Sequence, residues 1–264
     1  MSDLATLYRH RQLIAALTAR DLKARYRGSI LGYFWSLANP LLLLAVFTFV
    51  FTAIIPARAD VQPYPLFLFA GILPWTFFSA AVLESTNAIA SNAGLIKKVM
   101  FPAEALPLVV VLSHLVHFVL AIPVFLAALV IYTLLGQASV TANVLLVPFV
   151  MLLQTFLVAG AALIVSSASV LLRDLRDIIA NLMQLGFFLT PIIYPIEVFD
   201  QRAVRALLRL NPMTPFVLTY QDLLVYGRLP GIADTLLMIG YATASMMLGF
   251  FVFNRLRDNL AEAI

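Results

Sequence analysis

Long apolar stretches alternate with short clusters of charge along the 264-residue chain, and the widest gap, residues 105–172, contains no Asp, Glu, Lys or Arg. About 20 apolar residues cross a bilayer core, so this gap holds more than one crossing. Gly136-Gln137-Ala138-Ser139 divides it, closing a third span before Leu135 and opening a fourth over Val140–Leu172. The same pattern predicts a first span over Tyr33–Ile55 and a second over Leu66–Ala88, with Glu84 near its far end. A fifth lies between Asp177 and Glu197, and a sixth between Asp234 and Arg255. Lipid offers no hydrogen bonds, so backbone groups must be satisfied inside helices. The expectation is an all-α polytopic membrane protein with six transmembrane helices in a single domain over 1–264. Spans one to five occupy 33–195 and span six 234–254.

Composition agrees with this reading. Hydrophobic residues make up 62 % of the chain and charged residues 11 %, and mean hydropathy is +0.99. Lys and Arg set the orientation. They crowd the first 27 residues and recur as Lys97 and Lys98, Arg173 and Arg176, and Arg255 and Arg257. The loops after spans one and three carry only Arg58 between them. The positive-inside rule then puts both termini in the cytoplasm. No cleavable signal peptide is expected, because the first 30 residues are charged. Cysteine is absent, so no disulfide or thiolate chemistry is available. The pI near 9.5 fits attraction of the basic N-terminus to anionic lipid.

Three segments outside the spans have structure of their own. Residues 1–30 read as a cytosolic interface helix: Arg9, Arg20, Lys23 and Arg27 share a narrow sector, broadly opposite Leu4, Leu7, Ile14 and Leu22, with Arg11 and Arg25 interrupting the apolar face. The loop at about 92–101 carries Leu95, Ile96, Lys97, Lys98, Val99 and Met100, too apolar for a free cytosolic loop. It needs bilayer surface or a protein partner, and a docking helix stopped by Pro102 is favoured. On the outer side, 197–231 reads as two short helices, Asp200–Leu210 and Phe216–Tyr226, around a turn containing Asn211, Pro212 and Pro215. Such an arrangement suits a gate or pore mouth.

Catalytic signatures are missing. None of the three lysines follows a glycine, so the chain has no phosphate loop, and neither His-Glu-x-x-His nor Gly-x-Ser-x-Gly occurs. His114 and His117 share one face of span three. With nothing acidic beside them in that span, neutral hydrogen-bonded histidines are favoured over a metal or proton site. The aromatic clusters around Tyr33 and Trp35, Trp75 and Phe78, and Phe187 suit shallow stacking on sugar rings. For any single ring, packing in the core or against lipid is the alternative.

Arg20-Asp21-Leu22-Lys23-Ala24-Arg25-Tyr26-Arg27-Gly28-Ser29-Ile30-Leu31-Gly32-Tyr33-Phe34-Trp35-Ser36-Leu37-Ala38-Asn39-Pro40 resembles the entry motif of type-2 ABC exporter membrane subunits. The group exporting O-antigen and teichoic-acid polysaccharides is the nearer one, and the capsule exporters are more distant. Further matches are Arg173-Asp174-Leu175-Arg176-Asp177, Thr190-Pro191-Ile192-Ile193-Tyr194-Pro195, and Asn211-Pro212 with Pro215.

The resemblance implies a homodimer working with two copies of a separate ATPase, which binds ATP and Mg; no cofactor is expected on this chain. It implies that the loop at 92–101 is the coupling helix and that the outer helices are gate helices. It further implies a pore between the two copies, lined mainly by spans one, two and five. Tyr33, Trp35, Trp75, Phe78, Phe187 and Tyr194 are its candidate lining. The expected cargo is a lipid-linked, O-antigen-like polysaccharide crossing a bacterial cytoplasmic membrane, with no covalent chemistry on this chain. Rival readings are the same architecture carrying a drug, lipid or teichoic acid, and an ion-coupled secondary transporter. The latter calls for midplane carboxylates and inverted repeats that the sequence does not display.

Overall fold

The structure is a computed structural model describing residues 10–28, 34–54, 63–92, 94, 102–172 and 174–263. Among these residues every regular element is helical. Four helical stretches are long and apolar enough to cross a bilayer: Tyr64–Ser85, Ala105–Leu134, Ala142–Leu171 and Ile232–Arg257. They coincide with spans two, three, four and six of the sequence reading. We label the helices α1 (Arg11–Tyr26), α2 (Trp35–Phe49), α3 (Tyr64–Ser85), α4 (Ala105–Leu134), α5 (Val147–Leu171), α6 (Leu175–Leu189), α7 (Arg202–Arg209), α8 (Thr214–Gln221) and α9 (Ile232–Ala263).

The two remaining expected spans are shorter as α-helices. α2 has 15 residues and widens into a 5-residue π turn over Val50–Ile54. Together they rise about 30 Å at 1.5 Å per residue. α6 stops at Leu189 after 15 residues, a rise of about 22 Å. Thr190 ends it by donating its hydroxyl to Gly186 O at 2.7 Å, and Pro191 cannot continue the ladder. The apolar run to Pro195 therefore turns, where hydropathy alone extended it as helix.

α3 lies at the centre, with both faces largely buried between α4, α5, α6 and α8. Pro74 removes one backbone donor from its middle. α5 and α9 cross at backbone contact: a Cβ on Gly160 would stand 2.2 Å from the Ser245 carbonyl, and one on Gly249 would stand 2.6 Å from Gly160 O. Small residues allow this approach, which dispersion rewards where lipid supplies no hydrophobic drive. The Ser245 hydroxyl adds a hydrogen bond to Leu157 O at 2.8 Å.

α8, the second short helix of the 197–231 segment, is enclosed within the bundle. Every residue of Thr214–Gln221 is buried, and the following turn, Asp222–Tyr226, is a π helix closed by left-handed Gly227. Asn143 donates to Gly227 O at 2.8 Å, tying this end to the segment before α5. α1 also gains a protein face. Ile14 and Leu17 pack with Ala105, Leu106, Val109 and Val110 of α4, so the helix lies along the bundle as well as facing its surface.

Candidate functional site

The candidate channel residues fall into two neighbourhoods on either side of α3. Trp75, Ser79, Ala80 and Leu83 of α3 face Met183, Gln184, Phe187 and Phe188 of α6 across a groove of about 550 Å³. The Trp75 ring meets Phe187 edge-on at 6.2 Å and Phe78 at 5.7 Å, and Phe187 meets Phe188 at 5.4 Å. These distances suit edge-to-face aromatic attraction. Gly186 permits the arrangement, because a Cβ there would sit 2.9 Å from the tip of the Trp75 indole. Trp75 and Phe78 are buried within the chain, whereas Phe188 is exposed. The groove is therefore an aromatic wall with two rings anchored in the core.

Trp35 lies on the other side. It borders a cavity of about 410 Å³ with Arg25, Asn39, Pro40, Thr76, Phe77, His114, His117 and Phe118. Tyr194, after α6, donates its hydroxyl to Phe188 O at 2.9 Å and packs edge-on with Phe199 at 5.5 Å. Tyr33 and the coupling candidates Leu95, Ile96, Lys97, Lys98, Val99 and Met100 lie outside the described residues.

The gate candidates form one turn between α7 and α8. Asn211 donates to Thr190 Oγ1 at 2.8 Å and accepts from Met213 N at 3.0 Å. Thr214 bonds back to Leu208 O at 2.7 Å, and Pro215 is buried in the first turn of α8. Pro212 lies inside this turn. Ion pairs hold the 197–231 segment. Arg209 forms a two-pronged bridge to Asp234 of α9, at 2.7 and 3.1 Å. Arg228 bonds to Asp222 at 2.7 Å and sits over the Tyr226 ring at 4.7 Å. Burial pushes the Asp222 carboxyl above its usual range, partly offset by Arg228.

Two polar clusters escaped the sequence reading. Fully buried Gln154 of α5 donates to Pro74 O at 2.8 Å and accepts from the Tyr220 hydroxyl of α8 at 3.0 Å. Beside it, Gln221 donates to Pro191 O at 3.0 Å. A lone amide in an apolar span was the available signal. In the second cluster, Glu84 of α3 bonds to Arg25 of α1 through one oxygen and lies 2.8 Å from His114 Nε2 through the other. Nothing acidic accompanies the histidines within their own span; the carboxylate comes from a neighbouring helix. Among the described residues no cluster of three His, Cys, Asp or Glu side chains could hold a metal ion.

Comparison with known proteins gives a consistent answer. A family model described as "ABC-2 type transporter" matches residues 12–225. The chain is 36 % identical over 259 residues to the O-antigen export system permease protein RfbA of Myxococcus xanthus, covering 98 % of this chain and 97 % of that protein. It is 31 % identical to the protein of the same name from Klebsiella pneumoniae, covering 96 % and 95 %. The polysialic acid transport protein KpsM of Escherichia coli is 24 % identical over 189 residues, 70 % of each chain.

Proposed function

This chain belongs to the ABC-2 type transporter family, and from that premise we propose that it is the membrane-spanning subunit of an ATP-driven exporter of a lipid-linked, O-antigen-like polysaccharide. The observation that carries the proposal is end-to-end similarity to proteins named as O-antigen export permeases. In this reading α2 with its π turn and α6 complete a set of six spans, both termini face the cytoplasm, and the membrane is the bacterial inner membrane. Two copies work with two copies of a separate ATPase, which holds ATP and Mg.

Leu95, Ile96, Lys97, Lys98, Val99 and Met100 form the coupling segment that docks on the ATPase. Nucleotide-driven motion there shifts the spans as packed rigid bodies. α6 supports a second copy as partner: Ile178, Leu182, Leu185 and Leu189 form a bare apolar stripe on the helix that also carries Phe187. The polymer slides past Tyr33, Trp35, Trp75, Phe78, Phe187 and Tyr194, each ring holding a sugar weakly. The Asn211–Pro215 turn gates the outer mouth.

Deleting the gene should leave lipid-linked polymer on the cytoplasmic side, and restoring it together with its ATPase should return polymer to the surface. Undiminished surface polymer in the deletion strain would overturn the reading. Replacing Leu95 and Val99 with Asp should abolish export while the subunit still inserts; full export by that variant would remove the coupling role.

A further inference from the structure

Among the described residues, the C-terminal end of α1 is fastened to α3 through the Glu84 carboxylate. Glu84 on the last turn of α3 takes Arg25 with Oε1 and His114 with Oε2. Arg25 has a second partner on its own helix, Asp21, at 3.1 Å. If Arg25 leaves Glu84, the guanidinium keeps Asp21 and the carboxylate keeps His114. The usual penalty for opening an ion pair away from water is a charged group left without a partner, and here each group keeps a hydrogen-bond partner. The contact is not sealed within the bundle: the two side chains are 26 % and 41 % exposed.

Space is available for the opened state. Arg25 and His114 both border the 410 Å³ cavity, whose walls include Trp35 and Asn39 from the start of α2 and His117 of α4. Towards the other end of α1, Ile14 and Leu17 make an apolar contact with α4. Apolar contact is non-directional and tolerates a pivot. α1 is thus hinged at one end and clasped at the other.

We propose that the Arg25–Glu84 contact is a latch that releases α1 from α3 and α4 during the transport cycle, with α1 pivoting about Ile14 and Leu17. The charged and titratable groups facing the latch are Asp21, Arg25, Glu84, His114 and His117. The latch rests on the exporter reading, because the stroke that opens it is the one that moves polymer.

The absence of cysteine makes the test clean. Arg25→Cys with Glu84→Cys, joined by a short reducible bifunctional thiol reagent, replaces the latch with a covalent tie. In vesicles holding the chain with its ATPase, the tied complex should lose polymer export, and reduction should return it to the untied rate. Export by the tied complex at the untied rate would overturn the latch. Should that pair not assemble, spin labels at Lys23→Cys and Leu134→Cys in the otherwise native chain should report a changed α1–α4 distance when ATP binds. An unchanged distance would also overturn it. If the native complex carries no polymer, the exporter reading fails by itself, and the label distances still decide the latch.

Discussion

Gly160→Ala places one methyl group where α5 and α9 touch backbone to backbone. The new Cβ would lie 2.2 Å from the carbonyl carbon and oxygen of Ser245, while ordinary contact begins at 3.4 Å, so the helices must part by about 1.2 Å. Overpacking of this kind costs roughly 1–3 kcal/mol, and a gap of 0.5–1 Å forfeits about a quarter to a half of the local dispersion attraction. The Ser245 bond to Leu157 O stretches as well, worth about 0.6 kcal/mol inside a membrane. Alanine is itself the better helix former by about 1 kcal/mol, which a lone measurement would fold into the result. Gly240→Ala removes that term. Gly240 lies on α9 with nothing within 4 Å of its Cβ position, so it gains the propensity without the clash. The two alanine variants should therefore differ by about 1.6–3.6 kcal/mol, the sum of the overpacking and hydrogen-bond losses. Denaturant titration of purified protein in lipid–detergent mixtures reads this difference. Ser245→Gly should not rescue Gly160→Ala, because the nearest atoms are backbone. Equal midpoints for Gly160→Ala and Gly240→Ala would refute the close crossing.

Other substitutions probe the rest of the fold. Gln154→Leu strands the buried Tyr220 hydroxyl and should cost about 1–3 kcal/mol. Tyr220→Phe should be milder, because the amide keeps Pro74 O; equal losses in the same titration would break the assignment. Asp234→Asn leaves Arg209 half-paired, and with Arg209 one-third exposed the loss should be about 1–2 kcal/mol, below the figure for a fully buried pair. Arg209→Lys should not restore it, since lysine cannot make the two-pronged contact. Gly186→Ala should push the Trp75 indole tip, shift its emission in a Trp35→Phe background, and slow export more than ATP hydrolysis. Unaltered emission would place Trp75 elsewhere.

The sequence made the long spans legible because charge is so costly in lipid that its absence marks them. Residues 105–172 announce two crossings, and α4 and α5 occupy them. The end of α6 was less legible, because hydropathy reads Thr190-Pro191-Ile192-Ile193 as apolar without sensing that the proline ends the helix. The site is harder still. Periodicity reports which residues share a face of one helix, as with His114 and His117, but it carries no information about the face opposite. Glu84 lies thirty residues before His114 and Arg25 fifty-nine before Glu84, so their meeting is a product of packing alone. Arg25, a blemish on the apolar face of α1 when read by pattern, is the residue that joins α1 to α3.

The burial of α8 also bears on how the protein is made. The helix enclosed by the earlier spans is encoded after nearly all of them, at Thr214–Gln221. During synthesis α3, α4 and α5 enter the membrane first, and the Gln154 side-chain oxygen, whose amide nitrogen reaches the Pro74 carbonyl, still awaits Tyr220. The bundle must hold an empty slot until some sixty more residues past Gln154 have been delivered, and only then does its centre close. Assembly of this subunit therefore ends in the middle of the molecule, and a chain cut short ahead of Thr214 leaves α3, α4 and α5 around a vacancy.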